Sequence, residues 1–450
     1  MNFCSENISP DGFTGALFAI EGIRDACTIL NGPTGCKFYH SAISDSQFFR
    51  SPTYDPLEYT EGFYFGQSRI PSTYLDGEDY IFGSGEKLSS ILKSVVKKQY
   101  RLIAVVNSPG AALIGDDLED FLDREVRAGG PGAEIPCFAL ENSGYSTGFG
   151  QGYQNALLKA LDALLRSPAP DAPPGEPEPG RPEKPAAVNL LGLCIYQKYY
   201  DQNYQALKRL LGLCGITVIA APGAGDPAAA ITRMGEAALN VVVYPEYGRS
   251  IAEKMKARYG IPFLCLEEGP PIGFDAAAAF VNQVCAALGR DGAAAAEAID
   301  GARARAYLYL SRFSSLLGLP KGTLFSVKAE ASTAYALTRW LCSYLGMIPA
   351  AVSLLPSPDP GFAQKLETFL VDIHYREALE KPAAETPTHI LLADGNTIAE
   401  LKLREQQFCG IEIALPSLGY IDVSPKSLFG EQGALFLLEQ ILNGLRFTLA

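Results

Sequence analysis

A cysteine held just past a glycine–proline turn is the residue of this chain best placed to do chemistry. It stands in Asn31-Gly32-Pro33-Thr34-Gly35-Cys36, directly after the apolar run 27–30. Glycines let the backbone approach a bulky ligand, and a cysteine on a rigid turn is pre-positioned as a thiolate donor to a metal. Taken by itself, the motif reads more simply as a buried turn cysteine. The chain has 10 Cys in all, with no CxxC pair. They read as thiols or ligands rather than a disulfide framework. Cys285 and Cys342 lie on helical apolar patterns and read as core; Cys27 reads as a core-facing strand thiol. Cys194 ends an apolar run and reads as core packing, with a crevice position as the alternative. The 3 His, at 40, 374 and 389, have no metal-pair spacing, which argues against a zinc hydrolase. His40 either donates protons near a metal site or hydrogen-bonds on a surface helix. Asp116-Asp117 read either as general acids or as loop-structuring residues that cap a following helix. Tyr196, Tyr199 and Tyr200 read as the cover of a helix start rather than a pocket wall.

The elements that must carry these residues follow from length and pattern. At 450 residues, 48% hydrophobic and 19% charged, the chain has material for several cores. Its formal charge of −13 and lack of a dense Lys/Arg run give no nucleic-acid footprint. No Walker A or Gly-x-Gly-x-x-Gly sequence opens a strand–helix turn, so a nucleotide site is unsupported. No signal peptide and no membrane span are read, which leads to the expectation of a cytoplasmic protein.

Residues 167–185 carry Pro at almost every second position and read as an extended linker. After it, apolar runs at 188–196, 216–221, 241–244 and 262–266 alternate with helical patterns at 203–213, 227–238, 250–259 and 276–288. The pattern restarts with runs at 323–327, 350–355, 390–393 and 411–415. Before the linker, strands are expected near 28–30, 80–82 and 102–106. Uninterrupted apolar strands between amphipathic helices indicate parallel sheet covered on both faces. The expected fold is α/β: three doubly wound Rossmann-like domains with mostly parallel sheets, at 1–166, 187–318 and 319–450, with 167–186 as the linker.

Further motifs occur in a fixed order: Phe82-Gly83-Ser84-Gly85-Glu86-Lys87-Leu88, Leu113-Ile114-Gly115-Asp116-Asp117, Ala238-Leu239-Asn240-Val241-Val242, Tyr259-Gly260-Ile261-Pro262 and Pro271-Ile272-Gly273-Phe274. With the Cys36 turn and a C-terminal segment at 429–436, this order resembles the nitrogenase component 1 subunits and their relatives, the dark-operative protochlorophyllide reductases among them. The resemblance implies paired homologous subunits with an iron–sulfur cluster of the [4Fe–4S] type shared across their interface. It also implies a separate ATP-dependent iron–sulfur reductase as electron donor, and a small-molecule site among the three domains. Carried over residue by residue, Cys36 matches a family cluster ligand. The first family cysteine falls at Pro10 or Asp11; Cys4 lies further upstream, and Asp11 offers a carboxylate instead. The third falls at Pro109, beside Ser108. The resemblance favours Asp116-Asp117 as loop-structuring residues that cap a following helix. The candidate ligands are therefore Cys36, Cys4, Asp11 and Ser108, an incomplete set that a partner must complete. Of nitrogenase's two cofactor anchors, the cysteine position is Tyr244 and the histidine position falls in residues 416–419, so dinitrogen reduction is not expected. The leading expectation is a reductase subunit acting on another small molecule. A non-catalytic scaffold for a cluster or metallocofactor, and a cluster-free small-molecule-binding protein, are the alternatives.

Overall fold

The fold is described from a computed structural model, over residues 10–36, 40, 47, 70–115, 117–127, 134–141, 147–165, 186–417 and 421–449. Among the described residues eleven strands form three sheets, every strand pairing within them parallel. The first sheet holds β1 (Ala26–Asn31), β2 (Leu102–Asn107) and β3 (Cys137–Leu140) in that order. All three are buried along their whole length, as expected of parallel strands covered on both faces. The second contains β4 (Ala187–Leu191), β5 (Thr217–Ala220), β6 (Leu239–Val242) and β7 (Phe263–Cys265), ordered β5-β4-β6-β7. The third contains β8 (Leu324–Ala329), β9 (Ile348–Leu354), β10 (Ile390–Asp394) and β11 (Cys409–Ala414), ordered β11-β10-β8-β9.

Two sheets use the same device to fix register. Asn31 faces Asn107 across β1–β2, and its side-chain amide donates to Asn107 Oδ1 at 2.9 Å. Asn189 faces Asn240 across β4–β6 and donates likewise at 2.8 Å. A buried amide is costly unless its hydrogen bonds are made, so each pair disfavours a slipped register.

The helix Gly12–Glu21 packs on Phe149–Leu164 at very short range. A Cβ at Gly152 would fall 2.0 Å from the Gly12 carbonyl oxygen, and one at Gly15 would fall 2.1 Å from that of Phe149. Only hydrogen fits at these crossings. Tyr153 of the second helix reaches the second sheet, donating its hydroxyl to Leu193 O at 3.0 Å. One buried apolar cluster consequently runs from Phe13 to Leu445 through all three sheets.

Expectation and structure differ at four places. Residues 80–82 belong to a short helix, Asp79–Phe82, with no buried residue, because the preceding Asp76 side chain caps the turn and no strand edge is beside it. The strand β3, a four-residue run after Pro136, was not expected, and neither was the helix Ala293–Leu317. The pattern at 227–238 yields only one turn, Ala228–Ile231, and a 3-10 turn, Met234–Glu236. The expected linker at 167–185 lies outside the described residues. Among the described residues no helix is long and apolar enough to cross a membrane.

Candidate functional site

The turn after β1 is built by a buried polar network. Asn31 donates to Ser84 Oγ at 3.0 Å and accepts from Thr73 Oγ1 at 2.9 Å. The Gly32 amide donates to Thr73 Oγ1 at 3.0 Å, and Ser108 N donates to Asn31 O at 2.8 Å. A Cβ at Gly32 would lie 2.7 Å from Ser108 Oγ, so glycine is what lets the ends of β1 and β2 approach. Residues 34–36 then start a helical turn that carries Cys36, half-buried and free.

Three of the four candidate ligands come together here. Burial, followed by the negative charge of nearby Asp11, raises the Cys36 thiol, while a hydrogen bond with the Ser108 side chain works the other way. Asp11 caps the helix Gly12–Glu21, its Oδ1 accepting from Thr14 N at 2.9 Å and from Thr14 Oγ1 at 2.7 Å. Ser108 Oγ also accepts from Ala111 N at 3.2 Å, the turn-forming role that its position suggests. Cys4 lies outside the described residues. Asp117, as expected, caps the helix Leu118–Leu122, accepting from Asp120 N at 2.9 Å; Asp116 is outside the described residues.

As a donor set, a thiol, a carboxylate and a hydroxyl suit one side of an iron–sulfur cluster. The set is not a complete metal site: among the described residues no group of three His, Cys, Asp or Glu side chains is placed to hold an ion. Close by, Tyr80, Ile81, Phe82 and Leu113 are 40, 75, 84 and 80% exposed.

A second feature is a cavity of about 1010 Å³ between the second and third sheets, closed by the first helix pair. Its walls come from the C-terminal ends of strands, where ligands of open α/β sheets bind. Tyr244 and Glu246 follow β6; Lys328 and Glu330 end β8; Asp394 ends β10; Pro416 follows β11. Thr14, His40 and Phe149 complete it from the first part of the chain. Lys198 is buried against Glu412 at 2.9 Å and Asp422 at 2.5 Å. Lys328 pairs with Asp394 at 3.1 Å. Glu246 accepts from both N and Oγ of Ser332 at 2.8 Å, and Tyr247 donates to Glu330 Oε1 at 2.7 Å. Burial, and further down the order of causes the charge of Glu330, push the Glu246 carboxyl up to about 7.

His40 joins the two features. Its Nδ1 lies 2.5 Å from Cys36 O and its Nε2 lies 3.1 Å from Thr14 Oγ1. The ring sits edge-on to Phe13 at 5.1 Å. Burial lowers its pKa, opposed by the Cys36 carbonyl and the Asp11 charge.

Tyr196 corrects its expectation: it is a cavity wall, its ring tilted against that of Phe149 at 4.8 Å. Tyr199 and Tyr200 sit at the start of the helix Tyr200–Leu213 and line a smaller recess of about 500 Å³. Cys194 is fully buried, its Sγ accepting from Tyr196 N at 3.3 Å, and burial pushes its thiol to about 12. Cys27 is likewise buried in β1. Tyr244 and Pro416, at the positions of nitrogenase's two cofactor anchors in the resemblance, both line the cavity. Glu246, Lys328 and Glu330 were not singled out from sequence, although Lys328 and Glu330 stand at the end of β8 and Glu246 stands in the first turn of the helix that follows β6.

With three parallel sheets and a cavity at the strand ends of two of them, the architecture is that of a nitrogenase-like protein. The chain belongs to the Nitrogenase component 1 type Oxidoreductase family, whose pattern it matches over residues 12–446. It is similar to a light-independent protochlorophyllide reductase subunit of Synechococcus sp. (strain WH7803), with 29% identity over 46% of this chain and 40% of the relative. It is also similar to the nitrogenase iron-molybdenum cofactor biosynthesis protein NifE of Methanosarcina barkeri, with 26% identity over 56% of this chain and 50% of the relative. The chain thus spans half or less of the length of these curated relatives. In three dimensions it is similar to nitrogenase Cp1 at pH 6.5, with a TM-score of 0.72 and 18% identity over 100% of this chain and 95% of that one.

Proposed function

We propose that this chain is one subunit of a nitrogenase-like reductase that works on a small molecule other than dinitrogen. In this reading Cys36, with Asp11 and Ser108 beside it and Cys4 as a further candidate, supplies part of the ligand set of an iron–sulfur cluster. A homologous subunit, either a second copy or a related chain, supplies the rest. A [4Fe–4S] cluster takes four protein ligands, so one strong thiolate needs such a partner. The exposed apolar residues Tyr80, Ile81, Phe82 and Leu113 suit burial by that subunit. When bound, the cluster supplies single electrons, delivered in this reading by an ATP-dependent iron–sulfur reductase protein in the cytoplasm.

The observation that carries the proposal is the bridge through His40. It touches Cys36 O and Thr14 Oγ1, and both His40 and Thr14 line the large cavity. Electron entry and substrate site would therefore be separated by one side chain. Phe149, Tyr196 and Tyr247 wall the cavity and keep water from one face of a bound molecule, while Glu246 holds a proton close to neutral pH. Tyr244 offers no thiolate and Pro416 no imidazole, which is why dinitrogen chemistry is left out.

The test is iron and sulfide analysis of the anaerobically purified native assembly, wild type against Cys36→Ala. About four irons per subunit pair, lost in the variant, is the expected result. Iron-free wild type that still assembles would overturn the proposal. A scaffold reading is favoured by the missing anchors in so large a cavity. Transfer of labelled iron to a recipient protein, instead of retention through turnover, would select it.

A further inference from the structure

The charges in the cavity wall do not balance. Every cation there has its own carboxylate: Lys198 has Glu412 and Asp422, Lys328 has Asp394, and Arg404 has Glu400. Glu246, Glu330 and Glu385 also line the cavity, and among the described residues none of them is paired with a cation. The first two receive only neutral donors, the serine amide and hydroxyl and the Tyr247 phenol. Carboxylates brought out of bulk water are costly until a positive charge or strong donors reach them.

The rest of the wall is aromatic. Phe149 lies 4.8 Å from Tyr196 with the two rings tilted by 35°, whereas Tyr247 stands edge-on to Phe149 at 5.7 Å and 83°, and Tyr244 lies 6.0 Å from Tyr247, centroid to centroid. Ring faces attract cations, and flat conjugated molecules gain most from stacking on them. The cavity, about 1010 Å³, is at the large end for a small-molecule site.

We propose that the cavity takes a planar, conjugated organic cation, such as a fused ring system protonated at nitrogen, with its flat face against the Phe149–Tyr196 pair, the Tyr247 ring at its edge, and its charge on Glu330 and Glu246. This rests on the reading of the cavity as the substrate site and narrows the class of molecule that enters it. Among the described residues an anionic ligand meets three carboxyl groups and no unpaired Lys or Arg. Glu330 supplies the first counter-charge; Glu246 supplies the second as the entering cation displaces its proton.

The experiment titrates the full-length protein with two fluorescent probes, proflavine (a planar tricyclic cation) and 8-anilinonaphthalene-1-sulfonate (an anion of similar size). Proflavine is expected to bind at least about tenfold more tightly than the sulfonate. Glu330→Gln is expected to weaken proflavine about tenfold, the scale of one partly desolvated charge contact, and to leave the sulfonate unchanged or tighter. Glu246→Gln keeps the shape of the side chain and serves as the second variant should Glu330→Gln fail to fold by circular dichroism. Equal binding of the two probes, no binding of proflavine, or proflavine binding that neither substitution weakens would overturn the inference. Iron and sulfide are counted on the same samples. A lost cation preference with the iron intact removes this inference alone, whereas a cation preference in iron-free protein keeps it and removes the reductase reading.

Discussion

Replacing Lys198 with methionine should be the most damaging single change in the wall between the second and third sheets. The Lys198 side chain is 4% exposed, and its Nζ meets Glu412 Oε2 at 2.9 Å, Asp422 Oδ2 at 2.5 Å and Ser417 Oγ at 2.5 Å. Methionine fills similar space but removes the Lys198 ion pair from Glu412, whose side chain is 1% exposed. Removing one member of a buried pair costs about 3–5 kcal/mol, chiefly the cost of stranding the other charge. Asp422, 21% exposed, can regain water and adds little to that. The assay is urea unfolding followed by fluorescence of the single Trp, Trp340. That ring packs against Gly273, where a Cβ would lie 2.4 Å from Trp340 Cδ1, and so reports on the junction of the two sheets. With an m-value of about 3 kcal/mol/M, the midpoint should fall by roughly 1–1.5 M. Adding Glu412→Leu to Lys198→Met removes the stranded charge and should recover more than half of the loss. A single variant within about 1 kcal/mol of wild type would refute the reasoning, since that is how solvated surface pairs behave.

Glu246→Gln should change how stability varies with pH. The native carboxyl is held up to about 7, above its value in the unfolded chain, so the folded state keeps a proton that the unfolded state releases first. Wild-type stability should therefore fall as pH rises from about 4.5 to 7, and thermal melts of Glu246→Gln across that range should be flatter; parallel profiles would count against a raised Glu246. Gly152→Ala should force the Gly12–Glu21 and Phe149–Leu164 helices apart, because its Cβ would meet backbone oxygen at 2.0 Å. A loss of at least about 1–3 kcal/mol is expected in urea unfolding, against little or no loss for alanine at Gly212, where nothing lies within 4 Å.

Much of the scaffold was legible because parallel strands buried on both faces announce themselves as apolar runs, as 102–106 and 390–393 do for β2 and β10. The Cys36 turn was legible for a local reason: a strand, a Gly-Pro step and a thiol stand within ten residues. The run at 80–82 misled because three apolar residues look alike in a strand and in an exposed turn. The cavity was the least legible part. Phe149, Glu246, Glu330 and Asp394 are distant in sequence, and only the placement of the second and third sheets with their strand ends facing one space, against the first helix pair, gathers them. The single usable signal, an acidic residue where a buried strand gives way to the next helix, was present at Glu330 between the two and at Glu246 in the first helical turn. Tyr196 was misjudged for the same reason, since its partner Phe149 lies in the helix before the linker.

The central claim, that Cys36 holds iron, is tested most directly by an EPR-monitored redox titration of the anaerobic native assembly, comparing wild type with Cys36→Ser. Serine keeps a ligating oxygen in place of sulfur, so a cluster bound at this position should remain but titrate at a different midpoint potential with altered g-values. An EPR signal whose potential and g-values are the same in both proteins would mean that any cluster present is held elsewhere, and would contradict the account.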